Sequence, residues 1–372
     1  MLTLKKLCMT ALFVVLFASG TFLASAADDT VVQSIYEQSG ADSLGEALEH
    51  KTQQRLKEDN ISVYSADGVS FESIMKTLVS SAKSQSAEPF GCAIKLIGIM
   101  LLTVMIQGFS DGIGERTSDR VLNTVAGCAS SVCLFMPLCQ LANRASDTVS
   151  AAGNFSFVFT PVYAAILASS GRPVTATAFS AWSVAAGAFF SYILKAFVLP
   201  LCMMLLGFAV ISACGSGFGL DAAAQSVAKG VKWVLGICSV IFVGVISLRG
   251  VVSANADSLA FKTTKFIISG AVPIIGSALG DAALAVQSGL ATVKGGVGAF
   301  GIIAFAYIFI PVITETILWS AVIAFCSFMA NLLGAKQIEK TFTSAGAVTG
   351  MLFASELFSL SVIIVSSAWA LK

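Results

Sequence analysis

The stretch Gly298–Ile310 reads GAFGIIAFAYIFI and contains no charged residue. Comparable apolar blocks occupy Ile94–Phe109, Trp233–Leu248 and Val348–Ala370. About 20 apolar residues are needed for a helix to cross the ~30 Å hydrocarbon layer of a bilayer. A water-soluble fold would require strand alternation or polar helix faces, and these blocks show neither. The sequence therefore predicts an all-α polytopic membrane protein.

The overall composition supports the same class of protein. Charged residues make up 12% of the 372 residues, about half of the ~25% found in average globular chains, and the mean hydropathy is +0.87. The formal net charge is +1, which argues against a nucleic-acid-binding surface. We therefore expect the chain to contact membrane lipid and no nucleic acid.

Two of the apolar segments are open to more than one interpretation. The blocks 149–170 and 266–290 are rich in Gly, Ser and Ala, and each contains a proline, Pro161 or Pro273. They are either full spans or broken, re-entrant helices, so we predict about 8–10 transmembrane or re-entrant helices. The candidate spans are 91–109, 121–141, 149–170, 174–194, 196–214, 231–248, 266–290, 296–314, 316–334 and 346–369.

The N-terminal region has the pattern of a secretory signal. Lys5 and Lys6 precede an apolar run, and Ala24-Ser25-Ala26 offers a cleavage site. We predict a signal peptide over residues 1–26, with an uncleaved membrane anchor as the alternative. Residues 27–88 then form a small extracytoplasmic helical segment, and residues 89–372 form the polytopic membrane domain.

A shift of 112 residues superimposes parts of the membrane domain. It aligns Pro161 with Pro273, and it aligns Ala209-Val210-Ile211 with Ala321-Val322-Ile323. Many transporter folds are built from such repeats, with paired broken helices near the midplane. The sequence therefore predicts an internal duplication.

A few ionisable residues interrupt the apolar blocks and are candidate functional residues, because a charge within hydrocarbon costs at least about 2.5 kcal/mol. In the functional interpretation Asp281, Glu315 and Glu356 line a polar path or bind protons, and Lys95 pairs with one of them. In the alternative interpretation Asp281 and Glu315 lie at interfacial turns and Lys95 extends to the membrane surface. Prolines such as Pro161 and Pro273 free backbone carbonyls, which then need partners.

No enzyme, cofactor or metal site is predicted. Gly108–Gly112 fits G-x-S-x-G, and Gly296, Gly298 and Gly301 fit G-x-G-x-x-G, but no strand precedes either match. The glycines are better explained by close helix packing. The nine cysteines lie in or beside apolar blocks with no C-x-x-C pair, which is typical of small apolar packing residues.

One stretch of the second half resembles the stage III sporulation protein AE family of endospore-forming bacteria. It comprises Gly244-Val245-Ile246, Ser253-Ala254-Asn255-Ala256-Asp257, Lys262-Thr263-Thr264-Lys265-Phe266, Val272-Pro273-Ile274-Ile275-Gly276 and Asp281-Ala282. The resemblance extends over about Phe71–Lys372. It marks Lys262, Lys265, Pro273, Gly276 and Asp281 as residues of the family pattern without assigning them a role.

The resemblance implies a multi-pass protein of the mother-cell membrane around the forespore. There it would be a permease-like or channel subunit of the transport and secretion complex that links the two cells. The implied partners are other stage III A sporulation proteins and stage II sporulation protein Q. The alternatives are a self-contained secondary transporter for a small solute and a non-transporting scaffold of the same complex.

Overall fold

The computed structural model describes Tyr36 and residues 39–63, 71–113, 116–213, 220–271 and 276–371. Every regular element in these ranges is a helix, which confirms the predicted all-α class. The helices are α1 (Ser43–Glu46), α2 (His50–Glu58), α3 (Phe71–Gln85), α4 (Ala87–Ile113), α5 (Arg116–Ser169), α6 (Pro173–Ile193), α7 (Leu199–Ala213), α8 (Leu220–Ala271), α9 (Gly276–Leu332) and α10 (Lys336–Leu371). A π-helical segment, Leu194–Val198, joins α6 to α7.

Six helical stretches among the described residues are long and apolar enough to cross a membrane. This finding agrees with the polytopic membrane class expected from the sequence. The predicted signal peptide, residues 1–26, lies outside the described residues, and the division into segments 27–88 and 89–372 stays a prediction. The six stretches are Ala87–Phe109, Val121–Ser169, Pro173–Ala213, Ala222–Ile246, Leu290–Leu332 and Gln337–Ala368.

Several neighbouring candidate spans are joined without a break. Segments 121–141 and 149–170 lie within α5, which continues through Pro137 and Pro161, and segments 296–314 and 316–334 lie within α9, which continues through Pro311. An internal proline removes one backbone hydrogen bond but does not end a helix that neighbouring helices support. At 54 residues, α5 is about 80 Å long if straight, more than one membrane crossing requires.

Helix α5 packs antiparallel to α9 and to the pair α6–α7. Arg144 of α5 meets Glu315 of α9, and further along α5 the Phe155 ring meets Phe305, with ring centroids 5.0 Å apart. Residue numbers therefore rise along α5 as they fall along α9. The paired helix α6–α7 is also antiparallel to α5, since Ser156 contacts Ser183 and Cys139 contacts Met203.

Two of the turns between long helices share one geometry. After α5, the N–H of Gly171 donates to Ala168 and the N–H of Arg172 donates to Leu167; after α9, the N–H groups of Gly334 and Ala335 repeat this pattern. Gly171 has φ +78° and Gly334 has φ +71°, a left-handed conformation that glycine adopts at little cost. This is the Schellman motif, and it satisfies the last helix carbonyls while reversing the chain.

The glycine cluster of α9 is a packing surface. A Cβ at Gly301 would overlap the Phe159 ring, and one at Gly296 would overlap the Tyr36 hydroxyl. At Gly298 it would lie 2.7 Å from the Tyr163 hydroxyl and 2.8 Å from Leu371. These contacts agree with the packing role expected for the glycines, because the absence of a Cβ leaves room for a neighbouring side chain.

The N-terminal helical segment docks on the first half of α9. Asp59, after α2, accepts hydrogen bonds from Tyr307 of α9 and Thr77 of α3, each 2.7 Å long. The Tyr36 hydroxyl packs against Gly296 nearby. One carboxylate therefore ties the small segment to a long apolar helix.

The contact between α4 and α5 involves a cysteine pair. Pro137 has no N–H, so the carbonyl of Cys133, four residues earlier, loses its usual helical donor. The Cys92 thiol lies 3.8 Å from that oxygen and 3.9 Å from the Cys133 sulfur. The hydrogen bond that Pro137 of α5 cannot donate is therefore replaced by a weak one from the Cys92 thiol of α4.

This pair provides a direct test of the α4–α5 packing. We expect Cu(II)-phenanthroline and oxygen to oxidise the two thiols of the full-length protein in membranes to a Cys92–Cys133 disulfide, with release of two protons. The sulfurs need to move by only about 2 Å to reach bonding distance. Mass spectrometry of a non-reduced digest should find the linked peptides. Cys92→Ser should abolish them, and their absence from the oxidised wild-type protein would contradict the packing.

Candidate functional site: a charged chain in the helix bundle

Glu315 of α9 is the centre of a charged contact between three helices. Its side chain is 7% exposed, and its Oε1 lies 2.6 Å from Nη2 of Arg144 on α5. The same Nη2 lies 3.3 Å from Oε2 of Glu88, at the start of α4. Arg144 therefore bridges one buried and one exposed carboxylate.

The geometry explains how charges are tolerated within an apolar bundle. A buried carboxylate is costly unless it is paired and hydrogen-bonded, and an arginine can donate to two carboxylates at once. Arg144 and Glu88 each keep 43% of their side-chain surface exposed, so this end of the contact reaches the protein surface. The charge of Glu315 is thus compensated from the outside of the bundle.

Glu356 of α10 extends the polar contact into the interior. It is 1% exposed, and its Oε1 accepts a 2.8 Å hydrogen bond from the hydroxyl of Thr316, the residue after Glu315. Its Oε2 has no hydrogen-bond partner among the described residues. We use the name polar chain for Glu88, Arg144, Glu315, Thr316 and Glu356. Its members extend from the protein surface to a fully buried acid, with Glu315 and Thr316 joined along the backbone of α9.

Of the residues singled out from the sequence whose side chains are described, Glu315 and Glu356 lie together in the structure. Lys95 is exposed on α4 and makes no ion pair among the described residues; Arg144 is the partner of Glu315 instead. Pro161 is exposed within α5 and belongs to no cluster. Glu315 lies within α9 and not at an interfacial turn, because the helix continues for 17 residues to Leu332.

The residues of the family pattern are described only in part. Lys262 and Lys265 lie in α8, and Gly276 and Asp281 lie at the start of α9, with only their backbone described. Pro273 lies outside the described residues. The 112-residue shift aligns Pro161, inside α5, with Pro273, whose place in the sequence is between α8 and α9. The internal duplication stays a prediction.

Asp257 belongs to the stretch that resembles the family, but the sequence does not assign it a role. From α8, its carboxylate accepts the backbone N–H groups of Val174 and Thr175 at 2.9 Å and also the Thr175 hydroxyl. These N–H groups belong to the first turn of α6, which has no helical partner for them. A carboxylate at a helix N-terminus also interacts favourably with the helix dipole. Asp257 therefore caps α6 from a different helix.

Signals for the missed residues exist in the sequence. Arg144 is the first charge after a run from Val121 to Asn143 without any, and so stands out as a cation that needs a partner. Asp257 lies among small residues in Ser-Ala-Asn-Ala-Asp, eight residues after Arg249. Neither sequence feature identifies the partner of Arg144 or of Asp257, because both contacts join residues far apart in the chain. Among the described residues, no group of three or more His, Cys, Asp or Glu side chains is arranged to hold a metal ion.

The cap at Asp257 generates a stability prediction. Asp257→Ala should lower the free energy of unfolding by about 1–3 kcal/mol, because two N–H groups at the start of α6, one of them on the buried Thr175, lose their acceptor. The measurement is the thermal midpoint of the purified protein in detergent. Asp147→Asn, at an exposed aspartate of α5, is the matched control and should leave the midpoint unchanged. Equal midpoints for Asp257→Ala and the wild-type protein would show that the cap contributes nothing.

Comparisons with known proteins identify the family. The chain matches the family model "Stage III sporulation protein AE" over residues 58–368. It is similar to the stage III sporulation protein AE of Bacillus subtilis (strain 168), with 24% identity over 212 residues. That alignment covers 56% of this chain and 53% of the relative, about half the length of each. No solved structure matches. Since the family model spans most of the chain, this protein belongs to the stage III sporulation protein AE family.

Proposed function

We propose that this protein is a permease-like or channel subunit of the complex that transports material between mother cell and forespore during sporulation. In this proposal it lies in the mother-cell membrane surrounding the forespore and catalyses no covalent chemistry. Membership of the sporulation family supports the process, and the six long apolar stretches support a multi-pass membrane location.

The polar chain is the observation that carries the proposal. An acid buried within a membrane bundle is costly, and Oε2 of Glu356 has no hydrogen-bond partner among the described residues, so helix packing alone does not account for it. Contacts of 3.3 and 2.6 Å join Glu88, Arg144 and Glu315, and Thr316, the next residue of α9, donates a 2.8 Å hydrogen bond to Glu356. Polar groups that follow one another from the surface to the interior are what a path for ions or polar solutes requires.

The N-terminal segment supports an assembly role beside transport. Asp59 fixes this segment to α9 through Tyr307, and α9 also carries Glu315, eight residues further along the same helix. A partner that binds the small segment would therefore act on the helix that carries the polar chain. We propose other stage III A sporulation proteins and stage II sporulation protein Q as such partners.

The experiment replaces the two acids in the chromosomal gene of the sporulating host. We expect Glu315→Gln and Glu356→Gln each to lower the yield of heat-resistant spores, because each keeps side-chain volume and removes a charge or acidic proton from the chain. Glu339→Gln is the matched control on α10, since Glu339 contacts Asn331 outside the polar chain. Immunoblots of the membrane fraction must show equal amounts of all variants.

Two outcomes decide against the proposal. Normal spore yields for both acid variants, at equal protein levels, would leave a non-transporting scaffold as the function. Movement of a small solute into liposomes by the purified protein alone would instead establish a self-contained transporter.

A further inference from the structure

A second polar cluster lies at the end of the bundle where α5 turns into α6. It consists of Tyr163, Arg172 and Lys294. Lys294 is one helical turn before Gly298, the glycine against which the Tyr163 hydroxyl packs. Arg172, in the α5–α6 turn, donates its backbone N–H to the carbonyl of Leu167, one helical turn after Tyr163. Three hydrogen-bond donors from three parts of the fold therefore lie in one neighbourhood.

None of these donors has found an acceptor in the described part of the chain. Tyr163 is fully buried and its hydroxyl oxygen has no hydrogen-bond partner. Lys294 is 9% exposed, and neither it nor Arg172 forms an ion pair within the described ranges. Buried cations are normally paired, and two neighbouring cations repel each other. The cluster thus has an excess of positive charge and lacks an anion.

The end of α5 and the residue that caps α6 do not supply the missing acceptor. Cations can stabilise the last carbonyls of a helix, but in α5 the carbonyls of Leu167 and Ala168 already accept backbone N–H groups. The carbonyl of Ile166 accepts both the N–H and the hydroxyl of Ser170. The carboxylate of Asp257, at the start of α6, is already bonded through both of its oxygens to Val174 and Thr175.

We propose that Tyr163, Arg172 and Lys294 bind a phosphate group. The guanidinium of Arg172 and the ammonium of Lys294 would neutralise its charge, and the Tyr163 hydroxyl would donate to one of its oxygens. Arg172 follows directly after the apolar stretch Val121–Ser169, and basic groups at the ends of membrane helices bind anionic lipid headgroups. The ligand is thus a phospholipid headgroup or a free phosphate, which share this chemistry.

The experiment uses the full-length protein purified in detergent and titrated with phosphatidylglycerol, with phosphatidylcholine as the uncharged comparison, and with lipid binding followed by native mass spectrometry. We expect Lys294→Gln and Arg172→Gln each to weaken phosphatidylglycerol binding by about tenfold or more, the effect of losing one charge-assisted hydrogen bond. Lys340→Gln removes an equal charge from an exposed position of α10 and should change nothing.

A second arm distinguishes the source of the phosphate and guards against misfolding. Tyr163→Phe keeps the ring contacts with Phe159 and Phe179, both at 5.2 Å, and should bind phosphatidylglycerol more weakly with an unchanged thermal midpoint. A midpoint raised by inorganic phosphate in the wild-type protein but not in Lys294→Gln, without selective lipid binding, would assign the site to a soluble phosphate. Equal binding of both ligands by the wild-type protein and all three variants would overturn the proposal.

Discussion

The ion pair between Arg144 and Glu315 is the contact on which the arrangement of the long helices depends. Apolar helix surfaces in a membrane gain little from one another by the hydrophobic effect, because lipid tails are equally apolar. Such helices could slide along each other at small cost. A carboxylate that is 7% exposed cannot slide, since any shift away from Arg144 leaves a buried charge without compensation. The pair therefore specifies the register of α5 against α9.

The remaining polar contacts set the positions of the other helices in the same way. Asp257 fixes α8 at the start of α6, and Thr316 fixes α9 against Glu356 of α10. Close packing fills the space between these points, as where Gly301 admits the Phe159 ring. Small residues and interhelical hydrogen bonds thus supply what the hydrophobic effect cannot provide between helices in lipid.

The class of the fold could be predicted from the sequence because it depends on local composition alone. Stretches such as Leu290–Leu332, with 43 residues and a mean hydropathy of 2.3, are long and apolar enough to cross a membrane whatever they pack against. The continuity of α5 through Pro161 could not be predicted, because the cost of an internal proline depends on the neighbouring helices. For the site, the buried acids Glu315 and Glu356 were recognisable as charges within apolar blocks. Their partners were not, since Arg144 is 171 positions away from Glu315 and the pairing follows from tertiary packing.

The proposed transport function depends on the same ion pair between Arg144 and Glu315. The charges that set the helix register also form the polar chain from Glu88 to Glu356, so a change in helix register would change the path. The small segment around Asp59 is attached to the helix that carries Glu315. In the proposed function, a partner bound to this segment would act on the polar chain through α9.

A double-mutant cycle on the central ion pair tests this account most directly. The thermal stabilities of Arg144→Gln, Glu315→Gln and the double variant would be compared with the wild-type protein in detergent. The account predicts that the double variant is less destabilised than the sum of the single changes, with a coupling of about 1 kcal/mol or more. Purely additive effects would mean that the two residues act independently, and would contradict the claim that this pair sets the register of the bundle.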